Sequence, residues 1–137
     1  MRRLFFAIVM LLMPLAAPAQ TPLPANPAIE DVIQRQMDAF ASRNVFTAWT
    51  FASPTIQQLF QHPMYFGAMV ERGYPMVWTP GEVSFPSLRE EDGRPVQRVQ
   101  IVDGTGRLHL LDYEMVEIDG NWRIAGVTIL RGELLGV

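Results

Sequence analysis

The chain contains no cysteine and no lysine. Without cysteine there are no disulfides, no thiol nucleophile and no thiolate metal ligand. Without lysine there is no Schiff-base chemistry and no Ser–Lys dyad, since all 11 basic residues are arginine. Imidazole chemistry is limited to His62 and His109, which lie far apart and in no HxH or HExxH spacing. Neither a metal site nor a cofactor is therefore expected. GxSxG and P-loop patterns are missing too. Asp103-Gly104-Thr105-Gly106 is glycine-rich but no helix pattern follows it, so it reads as a hairpin loop. The net charge is −3 and basic clusters are lacking, which argues against a nucleic-acid partner.

The chain has one long apolar run, Leu4–Leu15, behind Met1-Arg2-Arg3. With the small-residue site Ala17-Pro18-Ala19 it reads as a secretory signal peptide over residues 1–19, cut between Ala19 and Gln20. The run is too short to span a bilayer, which takes about 20 residues. The expectation is a periplasmic or secreted protein with no stable membrane anchor after cleavage. Removing residues 1–19 from 137 leaves 118, enough for one core. Arg2 and Arg3 leave with that segment, so the net charge moves from −3 to −5.

Residues 20–26 are proline-rich and polar and read as a flexible leader to a single domain over 27–137. Asn26-Pro27 is a helix start. Ile29, Ile33, Met37 and Phe40 then recur at helical spacing, predicting an amphipathic helix of about 17 residues that ends near Asn44. Val45–Ala52 is a candidate short helix. Ser53-Pro54 and His62-Pro63 open two more, and Gly73 closes the last. Val77-Trp78 is β-prone. Glu82–Leu88 reads as a strand interrupted at Pro86 and hence at an edge. Val96–Val102 follows as a strand after a charged turn.

Leu108–Leu130 carries the strongest signal: two apolar, β-prone segments around Asp119-Gly120, a two-residue hairpin dipeptide. Ile118 then pairs with Asn121. One face takes His109, Leu111, Tyr113, Met115, Trp122, Ile124 and Leu130, and is assigned to the helix-covered side. The other takes Leu110, Asp112, Glu114, Val116, Arg123, Ala125 and Val127. There Arg123 stands diagonal to Glu114 and serves both carboxylates on a solvated surface. The strand before has two registers. A four-residue loop puts Arg98 and Gln100 on the His109 face, and a three- or five-residue loop puts Val99 and Ile101 there.

Helices first and about four antiparallel strands after them make an α+β domain. The order and spacing of VIQRQMDAFASRN, FASPTIQQLF, FGAMVERGYPMVW and DGNWRIAG resemble the nuclear transport factor 2-like superfamily. They are most similar to the bacterial domain-of-unknown-function family 4864. The resemblance implies a cone: a long N-terminal helix and short helices packed in a curved antiparallel sheet. It implies no activity, and it implies a sheet-face homodimer as one partner.

Two functional readings follow. In the first, the domain is a non-catalytic module for a small apolar ligand or for an envelope protein. Phe40, Trp49, Tyr65, Met69, Tyr74, Trp78, Arg98 and Trp122 are the candidate pocket lining, because methionine and aromatic side chains suit irregular apolar ligands. Phe51, Phe60, Phe66 and Met76 belong to the same cluster. In the alternative, the cone holds an isomerase, cyclase or dehydratase using His109 with Tyr113 in general acid–base catalysis.

Overall fold

In the computed structural model, which describes residues 20–131, Asn26 and Pro27 open α1 (Pro27–Ala41). The Asn26 carboxamide oxygen accepts from the Ala28 amide at 3.1 Å, satisfying one free donor of the first turn. Ile29, Ile33, Met37 and Phe40 are all buried, as their spacing predicts. The helix is shorter than expected. It stops at Ala41 because Arg43 turns left-handed (φ 57°). The Arg43 guanidinium holds that turn by donating to the carbonyls of Phe40 and Trp78 and lying 4.4 Å from the Trp78 ring. Asn44 is instead the cap of the next helix, accepting from the Thr47 amide. The expected signal peptide, residues 1–19 with Ala19, lies outside the described residues.

Three helices follow, α2 (Val45–Thr50), α3 (Pro54–Phe60) and α4 (Pro63–Gly73). Ser53 and His62 cap α3 and α4 through Oγ and Nδ1. Val77-Trp78 is not a strand but part of a helical turn, α5 (Pro75–Trp78). Pro75 opens the turn, and burial of Met76 and Val77 outweighs their local β preference.

The sheet is an open antiparallel meander in the order β1-β2-β3-β4-β5, with five strands rather than about four. They are β1 (Gln20–Leu23), β2 (Glu82–Glu91), β3 (Arg94–Val102), β4 (Leu108–Ile118) and β5 (Asn121–Leu130). The added strand, β1, comes from the segment read as a leader and lies along the end of β2, pairing Leu23 with Leu88. Pro86 sits at an irregularity of β2, in the half that β1 does not cover. Asp92-Gly93 and Asp119-Gly120 are two-residue turns with positive φ at both positions, as type I′ hairpins require.

The β4–β5 pairing begins as expected, Ile118 with Asn121, and keeps that register to Met115 with Ile124. A bulge then makes Glu114 pair with Gly126, so Val127 and Ile129, rather than Leu130, join Leu111 and Tyr113 on the covered face. Between β3 and β4 the loop has five residues, Asp103–Arg107. Val99 and Ile101 therefore lie on the covered face, and both are fully buried. The helices cover that one face. The chain between α2 and α3 also joins the free edge of β5: Ser53 N–H donates to the Ile124 carbonyl and Ile124 N–H to that of Phe51.

Candidate functional site

Where helices meet sheet, the side chains leave a cavity of about 280 Å³. α1 contributes Phe40 and Gln36, α3 Ile56, Leu59 and Phe60, and α4 Phe66, Met69 and Val70. The floor is Tyr113 of β4 with Ile124 and Val127 of β5, and Tyr74 closes one side. Leu59 is 71% exposed although it lines the cavity, so it stands at the mouth. The wall is held by rings: Phe66 lies 5.6–5.9 Å from Phe40, Trp49 and Phe60.

Among the described residues three lining residues, Gln36, Tyr74 and Tyr113, carry polar side chains, and none is charged. Gln36 donates to the Ala48 carbonyl at 3.2 Å, and the Tyr74 hydroxyl donates to that of Val127 at 3.0 Å. The Tyr113 hydroxyl is buried without a hydrogen-bond partner among the described residues. Burial, with a smaller contribution from Tyr74, pushes its ionisation upward, so it stays a neutral O–H donor. Its cross-strand neighbour Gln97 is also buried. Gln97 Nε2 donates to the carbonyls of Ser87 and Arg98, while Oε1 has no partner.

Of the residues expected to line a pocket, Phe40, Met69 and Tyr74 do, and so do Phe60, Phe66 and Tyr113. Trp49 and Trp78 pack behind the wall, on Phe66 and Phe40. Trp122 packs against the core farther along the sheet, and Tyr65 is 69% exposed. Ile56, Leu59 and Phe60 were legible as one face at i, i+3, i+4 spacing, but a seven-residue helix is too short to make that face stand out. Val127 was hidden by the bulge.

Arg98 lies on the opposite face of the sheet. There Asp112 takes two bidentate arginines: Arg98 Nε donates to Oδ1 at 2.9 Å and Arg89 Nη2 to Oδ2 at 2.9 Å. Glu91 extends the chain through Arg89, and Glu114 pairs with Arg94 at 2.8 Å. Arg123 does not serve these carboxylates. It donates to the Thr50 carbonyl, and Arg89, Arg94 and Arg98 from β2 and β3 pair with the carboxylates.

His109 lies near the start of β4 and is tied to the β3–β4 loop. Its Nε2 is 2.8 Å from Asp103 Oδ2, while Asp103 Oδ1 accepts from Thr105 Oγ1 and from the Thr105 and Arg107 amides. His109 and Tyr113 share a face but stand four residues apart on one strand, roughly 13 Å at ~3.3 Å per residue.

Both pairs set an acid limit to stability. The Thr105 hydroxyl, then His109, holds the Asp103 carboxyl well below its ordinary 3.8. Burial alone would raise Asp112, but hydrogen bonds from Arg89 and Arg98 outweigh it and lower that carboxyl as well. A depressed folded pKa contributes stability that is complete above the unfolded value and lost as pH falls through the folded one. The contribution of Asp103 and Asp112 is thus flat from neutrality to about pH 4 and declines below it. Urea midpoints measured from pH 7 to pH 2 check this; a midpoint that rises below pH 4 contradicts it.

Neither a curated protein nor a solved structure matches the chain. One family model does, over residues 22–135. The chain belongs to that family, described as Domain of unknown function (DUF4864).

Proposed function

We propose that this domain binds a small, predominantly apolar molecule in the cavity between α1, α3, α4 and the sheet. The carrying observation is the cavity itself: about 280 Å³, walled by aliphatic and aromatic side chains, with a mouth at Leu59. Cores are normally packed without such voids, and apolar pockets with few polar groups are the usual form of ligand sites.

We read the fold as nuclear transport factor 2-like. The run of helices before the four long strands, the helix layer on one sheet face and the cavity between them support that reading. We also read the protein as exported, on the basic start, the Leu4–Leu15 run and the Ala17-Pro18-Ala19 site. Acid–base catalysis draws no support from the geometry, because His109 is committed to Asp103 and stands far from Tyr113.

A second reading rests on a separate observation. Phe46, His62 and Tyr65 form a row of edge-to-face rings, and Phe46, Met64 and Tyr65 are more than half exposed. Exposed apolar surface of this kind suits a protein partner. If the cavity takes no ligand, this row becomes the leading functional surface.

Calorimetric titration with tetralin, an uncharged bicyclic hydrocarbon, tests the primary reading. One site with Kd on the order of 10–100 μM is expected from the affinity that so few atoms supply. Val70→Phe, which places a ring in the cavity, should weaken it at least about tenfold. No heat of binding, or full retention in Val70→Phe, overturns the reading.

A further inference from the structure

We propose that the molecule held in this cavity is neutral, about two fused rings in size, and carries one hydroxyl or carbonyl oxygen that accepts from the Tyr113 hydroxyl. This rests on the cavity-binding reading and adds the chemistry of the ligand.

Size comes from the volume. A cavity of about 150 Å³ takes benzene, so about 280 Å³ takes roughly twice that, ten to twelve non-hydrogen atoms. Neutrality comes from the walls. Among the described residues no arginine, histidine or carboxylate lines the cavity, so an anionic or cationic group would be desolvated there with no counter-charge.

The oxygen comes from Tyr113. A buried hydroxyl normally finds a partner, because leaving it unpaired is costly. Here the ring is fully buried and borders the cavity, and the hydroxyl meets no acceptor among the described residues. The other polar groups at the cavity are already engaged: Tyr74 donates to Val127, and the Gln36 amide donates to Ala48. Among the described residues Tyr113 is therefore the polar wall side chain that donates to nothing in the protein, which leaves its O–H to orient an acceptor on a ligand. It remains protonated through the neutral range because burial disfavours its anion. Within the protein it functions as a donor, so the matching ligand atom is an acceptor oxygen.

The test compares tetralin, 1-tetralone and 2-naphthoate on the full chain and on Tyr113→Phe, by calorimetric titration. 1-Tetralone adds one carbonyl to tetralin, and 2-naphthoate offers a charged oxygen on a similar frame. The native chain should bind 1-tetralone about tenfold more tightly than tetralin, and 2-naphthoate at least about tenfold more weakly than 1-tetralone. In Tyr113→Phe the tetralone-to-tetralin ratio should fall to about one. Because the hydroxyl has no partner among the described residues, this variant should keep its fold, with a thermal midpoint at or above that of the native chain. A ratio near one in the native chain, or a preference that survives Tyr113→Phe, overturns the proposal while tetralin binding leaves the cavity reading standing. Equal binding of 2-naphthoate and 1-tetralone overturns neutrality. No binding by any of the three removes both.

Discussion

Phe40→Ala should cost the fold about 3–5 kcal/mol. Phe40 is 1% exposed, and its ring lies 5.8 Å from both Phe66 of α4 and Trp78 of α5. It thus joins three helices. Deletion loses the transfer free energy of the ring and leaves a void that the neighbours fill only in part. That void opens into a cavity already present, so the collapse that sometimes softens such substitutions has farther to go. Against a total stability of about 5–15 kcal/mol, the loss is a large fraction. Urea unfolding should report it as a lower midpoint at nearly constant m. A loss under about 1 kcal/mol would mean that Phe40 does not anchor the helix layer. Phe40→Leu keeps most of the volume and should cost less than half as much.

Asp112→Ala is the second large effect, expected at about 2–3 kcal/mol. The carboxylate is only 13% exposed and carries two bidentate arginines whose side chains are 17% and 28% exposed. Removing it leaves Arg89 and Arg98 side by side, partly desolvated and mutually repelling. Solvent at the sheet surface screens part of this, which keeps the figure below the range for a fully buried pair. Arg89 retains Glu91 at 2.9 Å, so Arg98 suffers more. The triple variant Arg89→Met, Arg98→Met, Asp112→Leu should recover most of the loss, because the penalty lies in stranding charges and not in lacking them. Thermal or urea unfolding of the single and triple variants decides the point. A triple variant less stable than Asp112→Ala would show that the ion pairs contribute net stability.

The fold was legible wherever one periodicity governed a whole element. Ile29, Ile33, Met37 and Phe40 could only be the buried stripe of a helix, and Asp119-Gly120 could only be a tight hairpin turn. Legibility ended where the deciding contact was distant. The register of β3 depended on whether its loop held four or five residues. That is set by Asp103, whose carboxylate holds Thr105 and Arg107 within a five-residue loop and reaches His109 at the start of β4. The bulge in β5 left no mark in an alternating pattern, yet it moved Val127 and Ile129 to the covered face. β1 was unreadable as a strand because QTPL contains proline and pairs with residues more than sixty positions away. Val77-Trp78 followed its neighbours in space over its own preference.

The candidate site was legible in its composition and not in its geometry. Phe40, Phe60, Phe66, Met69 and Tyr74 gather around one space, with Trp49 and Trp78 behind them, while Phe46, Met64 and Tyr65 are exposed. Which of them face it, and which stand behind, depends on the angles among four short helices. Tyr113 was singled out as a partner for His109; the fold separates the two and leaves the tyrosine hydroxyl without a hydrogen-bond partner among the described residues.

The ends of the sheet set how this molecule can meet its own kind. An open sheet invites strand-by-strand growth from its rims. Here one rim is four residues long and includes Pro22, which has no amide hydrogen, and the adjoining bare stretch of β2 is broken at Pro86. The opposite rim is occupied at Ile124 by the backbone between α2 and α3, and the Val127 carbonyl is taken by Tyr74. Among the described residues neither rim presents a long row of free peptide groups, which disfavours strand-by-strand growth. Copies that associate are then expected to do so flank to flank, across the arginine-studded side of the sheet or the helices, and such assemblies stop at a finite number of subunits when their symmetry closes.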